Sequence, residues 1–307
     1  MFLLLLLWLV YLVAVPVIAW HRVDKVDFEP SGDRPEDQPG TTYLLVGSDS
    51  REDLTKEQRA ELSTGDAGGG RTDTLMLLHT GSGPNLLMSI PRDSIVDIPG
   101  HGSGKINAAY AFGGAKLLVR TIEGETGIRV DQYVEIGMGG VAGLVDAVGG
   151  IEVCPKENMK DPLAGLDIKK GCQDVDGRTA LAYARSRHTS QIGDIDRARR
   201  QREVVSSVGH KVLSPWTVVN PVRWWRLNNA IPDFFRFGEG AGPVRAALWA
   251  TAMTRVDGDH GLTCGVPIRD LAVNWDDDRA SKLFSKIIED DTDTIGKDIC
   301  TPTGIAQ

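Results

Sequence analysis

Seven arginines fall between residues 178 and 202 of this 307-residue chain, in a stretch with no lysine and only two acidic residues. They are Arg178, Arg185, Arg187, Arg197, Arg199, Arg200 and Arg202. Arginine is typical of sites that hold phosphate oxygens, because its planar fork donates two parallel hydrogen bonds. The cluster therefore predicts an anion site, and a solvated surface helix is the alternative.

The spacing within this cluster predicts which side chains converge. On an extended backbone Arg185 and Arg187 would point the same way. A helix that begins near residue 194 would place four side chains on one stripe, namely Asp194, Arg197, Arg200 and Gln201. Arg199 and Arg202 fall off that stripe, so we predict that both tolerate alanine.

Three further segments place Arg and Asp beside predicted strand ends, where ligand sites of α/β sheets collect. They are Gly47–Arg51, Gly70–Thr74 and Ile90–Asp93. A single such segment is usually a solvated turn, but three of them favour a site. Arg71 and Asp73 are two residues apart, so a strand would present both on one face.

Asp49 and Asp73 are candidate ligands for Mg²⁺ or Mn²⁺, because hard cations prefer carboxylate oxygen and bridge readily to phosphates. The chain contains no Walker motif, no nucleophile elbow and no H-E-x-x-H, which leaves a serine hydrolase or a zinc enzyme without support. Arginines, carboxylates and a metal are the parts that phosphoryl transfer requires.

The elements that must position these residues alternate between strands and helices. Apolar runs predict strands at 43–46, 74–78, 86–90, 130–136 and 262–268. Helical spacing predicts helices at 108–112, 115–122, 139–148, 176–183, 195–213 and 277–289. We expect an α/β fold, a three-layer α/β/α sandwich around a mixed central sheet, preceded by one transmembrane helix.

Residues 1–20 carry no charged side chain and would span about 30 Å as a helix, the thickness of a hydrocarbon core. We expect a membrane anchor here; a cleaved signal peptide is the alternative, although Ala19–His21 is a poor cleavage site. Residues 21–41 are expected to form a disordered tether, and 42–307 the globular domain.

The four cysteines are even in number and lack zinc-like spacing. Behind a membrane segment they predict two disulfides and a domain outside the cytoplasm. Pairing of sequence neighbours would join Cys154 to Cys172 and Cys264 to Cys300, although three connectivities are possible. The formal charge of −8 argues against a nucleic-acid partner.

Seven segments of the chain together resemble the LytR-CpsA-Psr family. In chain order they are Tyr43–Arg51, Gly70–Met76, Ser89–Asp93, Lys105–Tyr110, Asp146–Val153, Ala180–Arg187 and Gly193–Gln201. The likeness covers roughly residues 42 to 213, and the tail from about 215 to 307 carries no motif of the family.

The resemblance implies a membrane-anchored, extracytoplasmic phosphotransferase that moves a glycopolymer from a polyprenyl pyrophosphate carrier to peptidoglycan. It places Asp49 and Asp73 on Mg²⁺ and Asp194 as a catalytic or orienting carboxylate. Substrate phosphates would contact a further set of matched residues, namely Arg71, Arg92, Lys105, Arg185, Arg187, Arg197, Arg200 and Gln201. An apolar tunnel beside helix 139–148 would hold the prenyl chain.

Two features bear on the details of this resemblance. The cysteine pairs suggest the actinobacterial type, with arabinogalactan as the expected cargo and teichoic or capsular polymers as alternatives. The polar insertion 52–70 separates the two metal-site aspartates.

A pyrophosphate hydrolase, or a binder without catalysis, would use the same residues. A membrane-bound transcriptional attenuator is disfavoured by the acidic charge and the absence of a helix-turn-helix pattern.

Overall fold

A seven-stranded mixed sheet forms the centre of the chain in a computed structural model, which describes residues 2–48, 72–186, 193–212, 214–256, 261–270 and 273–306. Its strands are β1 (Asp24–Val26), β2 (Thr41–Ser48), β3 (Thr72–Thr80), β4 (Asn85–Ile90), β7 (Gln132–Gly137), β12 (Phe235–Gly238) and β13 (Gly261–Gly265). The strand order is β1-β12-β7-β2-β3-β4-β13. The prediction of a mixed α/β fold is therefore confirmed.

Within the described ranges, three short antiparallel pairs lie outside this sheet. They are β5 (Ile95–Ile98) with β6 (Gly102–Lys105), β8 (Ile151–Val153) with β11 (Gln173–Val175), and β9 (Met159–Asp161) with β10 (Leu166–Ile168). The helices are α1 (Phe2–Trp20), α2 (Ile106–Thr126), α3 (Met138–Ala147), α4 (Gly177–Arg185), α5 (Gly193–Val212), α6 (Pro215–Val219), α7 (Pro221–Phe234), α8 (Pro243–Met253) and α9 (Asp277–Ile288).

Both faces of the sheet are apolar because successive side chains of its strands point to opposite sides. On β2, Tyr43 and Leu45 enter one core while Leu44 and Val46 enter the other. Helices α3, α4, α5, α7 and α8 pack against the first core. Helices α2 and α9 pack against the second, so helices cover both faces of the sheet.

Glycines let α3 approach α4 at backbone distance. A Cβ at Gly177 would lie 2.0 Å from the carbonyl oxygen of Ala142, and the Gly177 amide donates to Asp146 Oδ1 at 2.8 Å. A Cβ at Gly143 would meet the ring of Phe234. The small residues of the predicted helix 139–148 thus serve close helix packing, besides any role in shaping a cavity.

We expect Gly177→Ala to destabilise the fold by about 1–3 kcal/mol, because the new methyl group overlaps backbone that cannot yield. Chemical denaturation would measure the change. Gly124→Ala on α2 is the matched control, since its Cβ meets no atom within 4 Å, and it should stabilise by about 0.5–1 kcal/mol. A neutral Gly177→Ala variant would contradict this account of the α3–α4 contact.

Residues 21–41 differ from the disordered tether expected from composition. Strand β1 pairs in parallel with β12, Phe28 is buried and stacks on Tyr133, and Arg34 forms an ion pair with the buried Glu123 at 2.7 Å. A tether rich in Pro, Asp and Glu can be ordered in this way because Phe28 and Arg34 find partners on the domain. The globular unit therefore begins before residue 42.

The N-terminal helix α1 packs on α7, where the Tyr11 hydroxyl donates to the Pro221 carbonyl at 2.8 Å. Among the described residues, no helix combines the length and the hydropathy needed to span a membrane. Disulfides join Cys154 to Cys172 and Cys264 to Cys300, which is the pairing of sequence neighbours. The first closes the loop that carries β9 and β10, and the second ties β13 to the C-terminal segment.

Candidate active site

Three strand ends meet at one edge of the central sheet. Strands β2 and β7 run parallel, and β4 has the same direction because it is antiparallel to β3, which is antiparallel to β2. Ser48 ends β2, Gly137 ends β7, and Arg92 follows the last residue of β4 by two positions. The pairing of β2 with β3 is irregular between Gly47 and Ser48, and bulges of this kind redirect side chains beside functional sites.

A cavity of about 1280 Å³ opens at this edge and continues between the sheet and the helices of the first core. Its polar lining includes Ser48, Arg92, Asp93, Lys105, Asn107, Asp161, Arg185, Arg197 and Gln201. Its apolar lining comes from the sheet and from α3, α5, α7, α8 and α1, and includes Met76, Leu144, Val208, Ile231, Phe235 and Trp249. One continuous space thus joins a cationic end to an apolar interior.

Asp93 organises the cations on the strand side of the site. Its carboxylate accepts from Lys105 Nζ at 2.7 Å and lies 3.6 Å from Arg92 Nε. Burial opposes ionisation of Asp93, but the Lys105 hydrogen bond and the charges of Arg92, Lys105 and Arg197 outweigh it, so the pKa of Asp93 lies below its ordinary value. Asp93 is therefore ionised near neutral pH and is a poor proton acceptor, which suits it to orienting Lys105 and Arg92.

Helices α4 and α5 supply the opposite wall. Asp176 caps α4 by accepting from the Thr179 amide at 2.8 Å. Arg185 is the last residue of α4, so the extended backbone expected there is wrong: the helix continues through it. Arg197 and Gln201 lie one turn apart on α5 and both line the cavity, and Arg197 is buried.

Arg200 is not brought to the cavity with Arg197. Its buried guanidinium donates from Nε to the Tyr183 carbonyl at 3.1 Å and from Nη2 to the Ser186 carbonyl. The predicted stripe on α5 is thus divided, since residue 200 lies about 100° around the helix from residue 201 and faces the end of α4. Arg200 positions the turn that carries Arg185, and it is not among the residues that line the cavity, where its expected substrate contact would lie.

The structure removes the reason for predicting that Arg202 tolerates alanine. Arg202 is buried, and it donates to Ser89 Oγ at the end of β4 and to the carbonyl of Pro302. Burial, and secondarily the charge of Arg199, lowers the pKa of Arg202 to about 10. The side chain ties α5 to the sheet and to the C-terminal segment, which sequence spacing alone does not reveal.

Arg202→Ala should lower the free energy of unfolding by about 1.5–3 kcal/mol, because hydrogen bonds from a buried charged donor are lost. Chemical denaturation at neutral pH would measure this loss. Arg199→Ala on the same helix, with a half-buried side chain outside the cavity lining, should cost less. Equal stability of the Arg202 variant and the unmodified chain would contradict the assignment.

Several predicted site residues lie outside the described part of the chain. Asp49, Arg71, Arg187 and the insertion 52–70 are not described at all, and of Asp73 and Asp194 only the backbone is described. The backbone does place Asp73 on β3 next to Thr72, which pairs with Ser48 at the end of β2. Asp194 lies in the first turn of α5, one turn before Arg197.

Sequence reasoning missed part of the site. Asp161 on β9 is buried, lines the cavity and accepts from Ser186 Oγ at 3.0 Å, so the disulfide-closed loop supports the turn after Arg185. Asn107, two residues after Lys105 in the chain, also lines the cavity. For the Asp161 contact, the one available signal in the sequence was the serine at position 186, between Arg185 and Arg187. The tail beyond 215 also contributes, because α7 and α8 wall the apolar part.

The arrangement suits an amphiphilic anion. Arg92, Arg185, Arg197 and Lys105 present positive charge at one end of the cavity, where low local dielectric strengthens their attraction for phosphate oxygens. The apolar remainder can accept a hydrocarbon chain, since burying it removes apolar surface from water. Among the described residues, we find both properties in this one space.

Comparison with known proteins gives a consistent result. Residues 19–227 match the model of the LytR_cpsA_psr family. Over 288 residues the chain is 45% identical to a probable cell wall biosynthesis protein, LcpB of Corynebacterium glutamicum, covering 91% of this chain and 68% of LcpB. It is 40% identical over 182 residues to the polyisoprenyl-teichoic acid–peptidoglycan teichoic acid transferase TagU of Enterococcus faecalis, covering 58% of this chain and 56% of TagU.

A solved structure supports the fold. The LytR-Csp2A-Psr enzyme from Actinomyces oris superposes with a TM-score of 0.69 at 22% identity, covering 87% of this chain and 96% of that one. At this identity the likeness concerns the fold. The chain spans about two thirds of LcpB and little more than half of TagU.

Proposed function

The chain belongs to the LytR-CpsA-Psr family, and on that premise we propose that it transfers a glycopolymer from a polyprenyl pyrophosphate carrier to a peptidoglycan hydroxyl. Polyprenyl phosphate is the product released. The observation that carries the proposal is the single cavity whose cationic end adjoins an apolar interior. A pyrophosphate bearing a long hydrocarbon chain has that same division of charge.

In the proposed reaction the acceptor oxygen attacks the phosphorus that bears the glycopolymer. The bond from that phosphorus to the bridging oxygen breaks, and the bridging oxygen leaves on polyprenyl phosphate. Arg92, Arg185 and Arg197 bind the pyrophosphate and stabilise the charge that shifts onto the leaving group. The acceptor hydroxyl loses its proton, and we assign Asp194, one turn before Arg197, to orient or accept it.

Asp49 and Asp73 are proposed to bind Mg²⁺ or Mn²⁺. The donor set fits, because Asp49 directly follows Ser48 and the backbone of Asp73 lies beside the strand end that carries Ser48, and hard cations prefer such carboxylate oxygens. The ion when bound would neutralise phosphate charge. Arg71, adjacent to Thr72 at the start of β3, is proposed to contact the same phosphates, as are Arg187, Lys105 and Gln201.

We further propose that the chain is held at the cell membrane by α1, with residues beyond it outside the cytoplasm. Apolar side chains of α1 are exposed, among them Leu3, Leu7, Val10 and Ile18. The two disulfides suit an oxidising compartment. Arabinogalactan is the proposed cargo. Donors that carry teichoic acid or capsular polymer are the alternatives against which its rate of transfer would be compared.

Acceptor-dependent turnover tests the proposal. The full chain would be incubated with a polyprenyl pyrophosphate-linked glycan, with and without peptidoglycan, and the products separated. We expect polymer on peptidoglycan and polyprenyl phosphate in equal amounts. Free phosphorylated glycan at the same rate with or without acceptor would indicate a hydrolase, and unchanged donor would indicate a binder; either result contradicts the proposed transfer.

A further inference from the structure

On α1 and α8, three apolar residues that line the cavity are also exposed at the protein surface. Val13 and Val17 of α1 and Val244 of α8 line the cavity, yet they are 65%, 41% and 71% exposed. We call these three residues the apolar rim. A rim without polar groups offers no hydrogen bond to water, so its exposure to solvent is unfavourable.

The surface around this rim is also apolar. Trp216 and Val219 of α6, Val222 and Trp225 of α7, and Leu248 of α8 are each more than half exposed; we call these five residues the tryptophan surface. It adjoins α1, because the Tyr11 hydroxyl donates to the carbonyl of Pro221, the first residue of α7. Helix α7 contacts both α6 and α1, and α1 contacts α8, so these exposed apolar residues lie on neighbouring helices, as at an interaction site.

The charge of this region differs from that of the whole chain. Residues 211–256 contain six basic and two acidic residues, in a chain with a formal charge of −8. The basic residues are Lys211, Arg223, Arg226, Arg236, Arg245 and Arg255, and the acidic ones are Asp233 and Glu239. Arg226, Arg245 and Arg255 are exposed. Arg226 is on α7 with Trp225, and Arg245 is on α8 with Leu248, so the helices of the tryptophan surface carry exposed positive charge that is complementary to an anionic lipid surface.

We propose that the tryptophan surface docks on the interfacial layer of an anionic bilayer, so that the apolar rim opens into lipid. Tryptophan suits this layer because its ring is apolar and its N–H can reach water or headgroups. Docking removes the rim and the tryptophan surface from water. On the proposed function, an isoprenoid chain could then pass between bilayer and cavity without crossing water, but the docking itself requires no transfer activity.

A bilayer fits these features better than a protein partner does. The surface is contiguous with α1, a helix with apolar residues on all sides, and that helix forms part of the rim. A protein partner would have to cover the rim and thereby close it. The positive charge also opposes the pairing of two copies of this surface.

Spin-label accessibility in reconstituted full-length protein tests the proposal. Cysteine would be introduced at Val222→Cys on α7 or, as the matched control, at Lys282→Cys on α9, which covers the opposite face of the sheet. Both sites are exposed and all four native cysteines are in disulfides. Each nitroxide is measured in vesicles containing phosphatidylglycerol, with oxygen and a water-soluble nickel complex as relaxants.

The label at 222 should lose most of its collisions with nickel and gain collisions with oxygen, while the label at 282 keeps its nickel accessibility. The loss at 222 should be smaller in Arg226→Gln/Arg245→Gln protein. Equal nickel accessibility at 222 and 282 would overturn the proposal. Shielding at 222 that persists in detergent and grows with protein concentration would assign the surface to a second copy instead, and would also overturn it. Neither result depends on transferase activity.

Discussion

Replacing Arg197 by alanine is expected to lower the rate of transfer from a polyprenyl pyrophosphate donor by about 10²–10³-fold, the usual cost of removing one charge-assisted contact aimed at a transition state. Arg197 is buried at the cationic end of the cavity, and its charge contributes to the lowered pKa of Asp93. In the Arg185→Ala variant, which changes the wall formed by α4, the rate of transfer should fall by a similar factor. Single-turnover rates at saturating donor would measure both losses.

Two further variants make this prediction specific. Arg197→Lys should recover little activity, because an ammonium cannot reproduce the guanidinium fork. Arg199→Ala is the matched control on the same helix, since Arg199 does not line the cavity. Equal damage from the 199 and 197 variants would contradict the assignment of the α5 wall. Full transfer by the Arg92, Arg185 and Arg197 alanine variants would refute the proposed enzymatic function.

Asp73→Ala should lower metal-dependent transfer by about 10³-fold or more, because neutralising phosphate charge is worth several kcal/mol and each ~1.4 kcal/mol is a factor of ten. The melting temperature should change little, since Asp73 is the second residue of β3 and therefore lies at the end of the strand. Manganese binding in the presence of pyrophosphate, followed by electron paramagnetic resonance, gives a readout that is independent of turnover.

Asp167→Ala is the control for this metal prediction. Asp167 lies on β10 with its side chain 76% exposed and paired at 3.7 Å with Lys160, so its loss should leave both manganese binding and transfer unchanged. If the Asp73 variant retains full activity, or if the unmodified chain is equally active in excess chelator, the metal assignment is wrong.

The proposed chemistry depends on how side chains around the cations are held. Arg200 donates to carbonyls at the end of α4, and Asp161 accepts from Ser186 in the same turn. Glu203 on α5 accepts from the Tyr183 hydroxyl at 2.9 Å and from the Cys154 amide at 2.7 Å. These contacts connect α4, α5 and the disulfide-closed loop, so they fix the wall that carries Arg185 before substrate binds.

Local patterns in the sequence were sufficient for the elements and for much of the site. Short apolar runs predicted β2, β3 and β4, and Asp176 marked the start of α4. Gly113 and Gly114 interrupt α2 where the sequence predicts a break, and Gly114 has a φ of 62° that other residues rarely adopt. These features depend on neighbours within a few positions, and so the sequence determines them directly.

Only the tertiary structure separated the arginines of α5 by their surroundings. Helical spacing gives the angle of each side chain around the axis, but not what packs against that angle. Arg197 meets the cavity, Arg200 meets the end of α4, and Arg202 meets β4 and the C-terminal segment. The same holds for residues 21–41 and for the tail beyond 215, whose partners lie up to about 200 positions away in the chain. Contacts at such separations are set by the packing of the whole domain, and no local pattern encodes them.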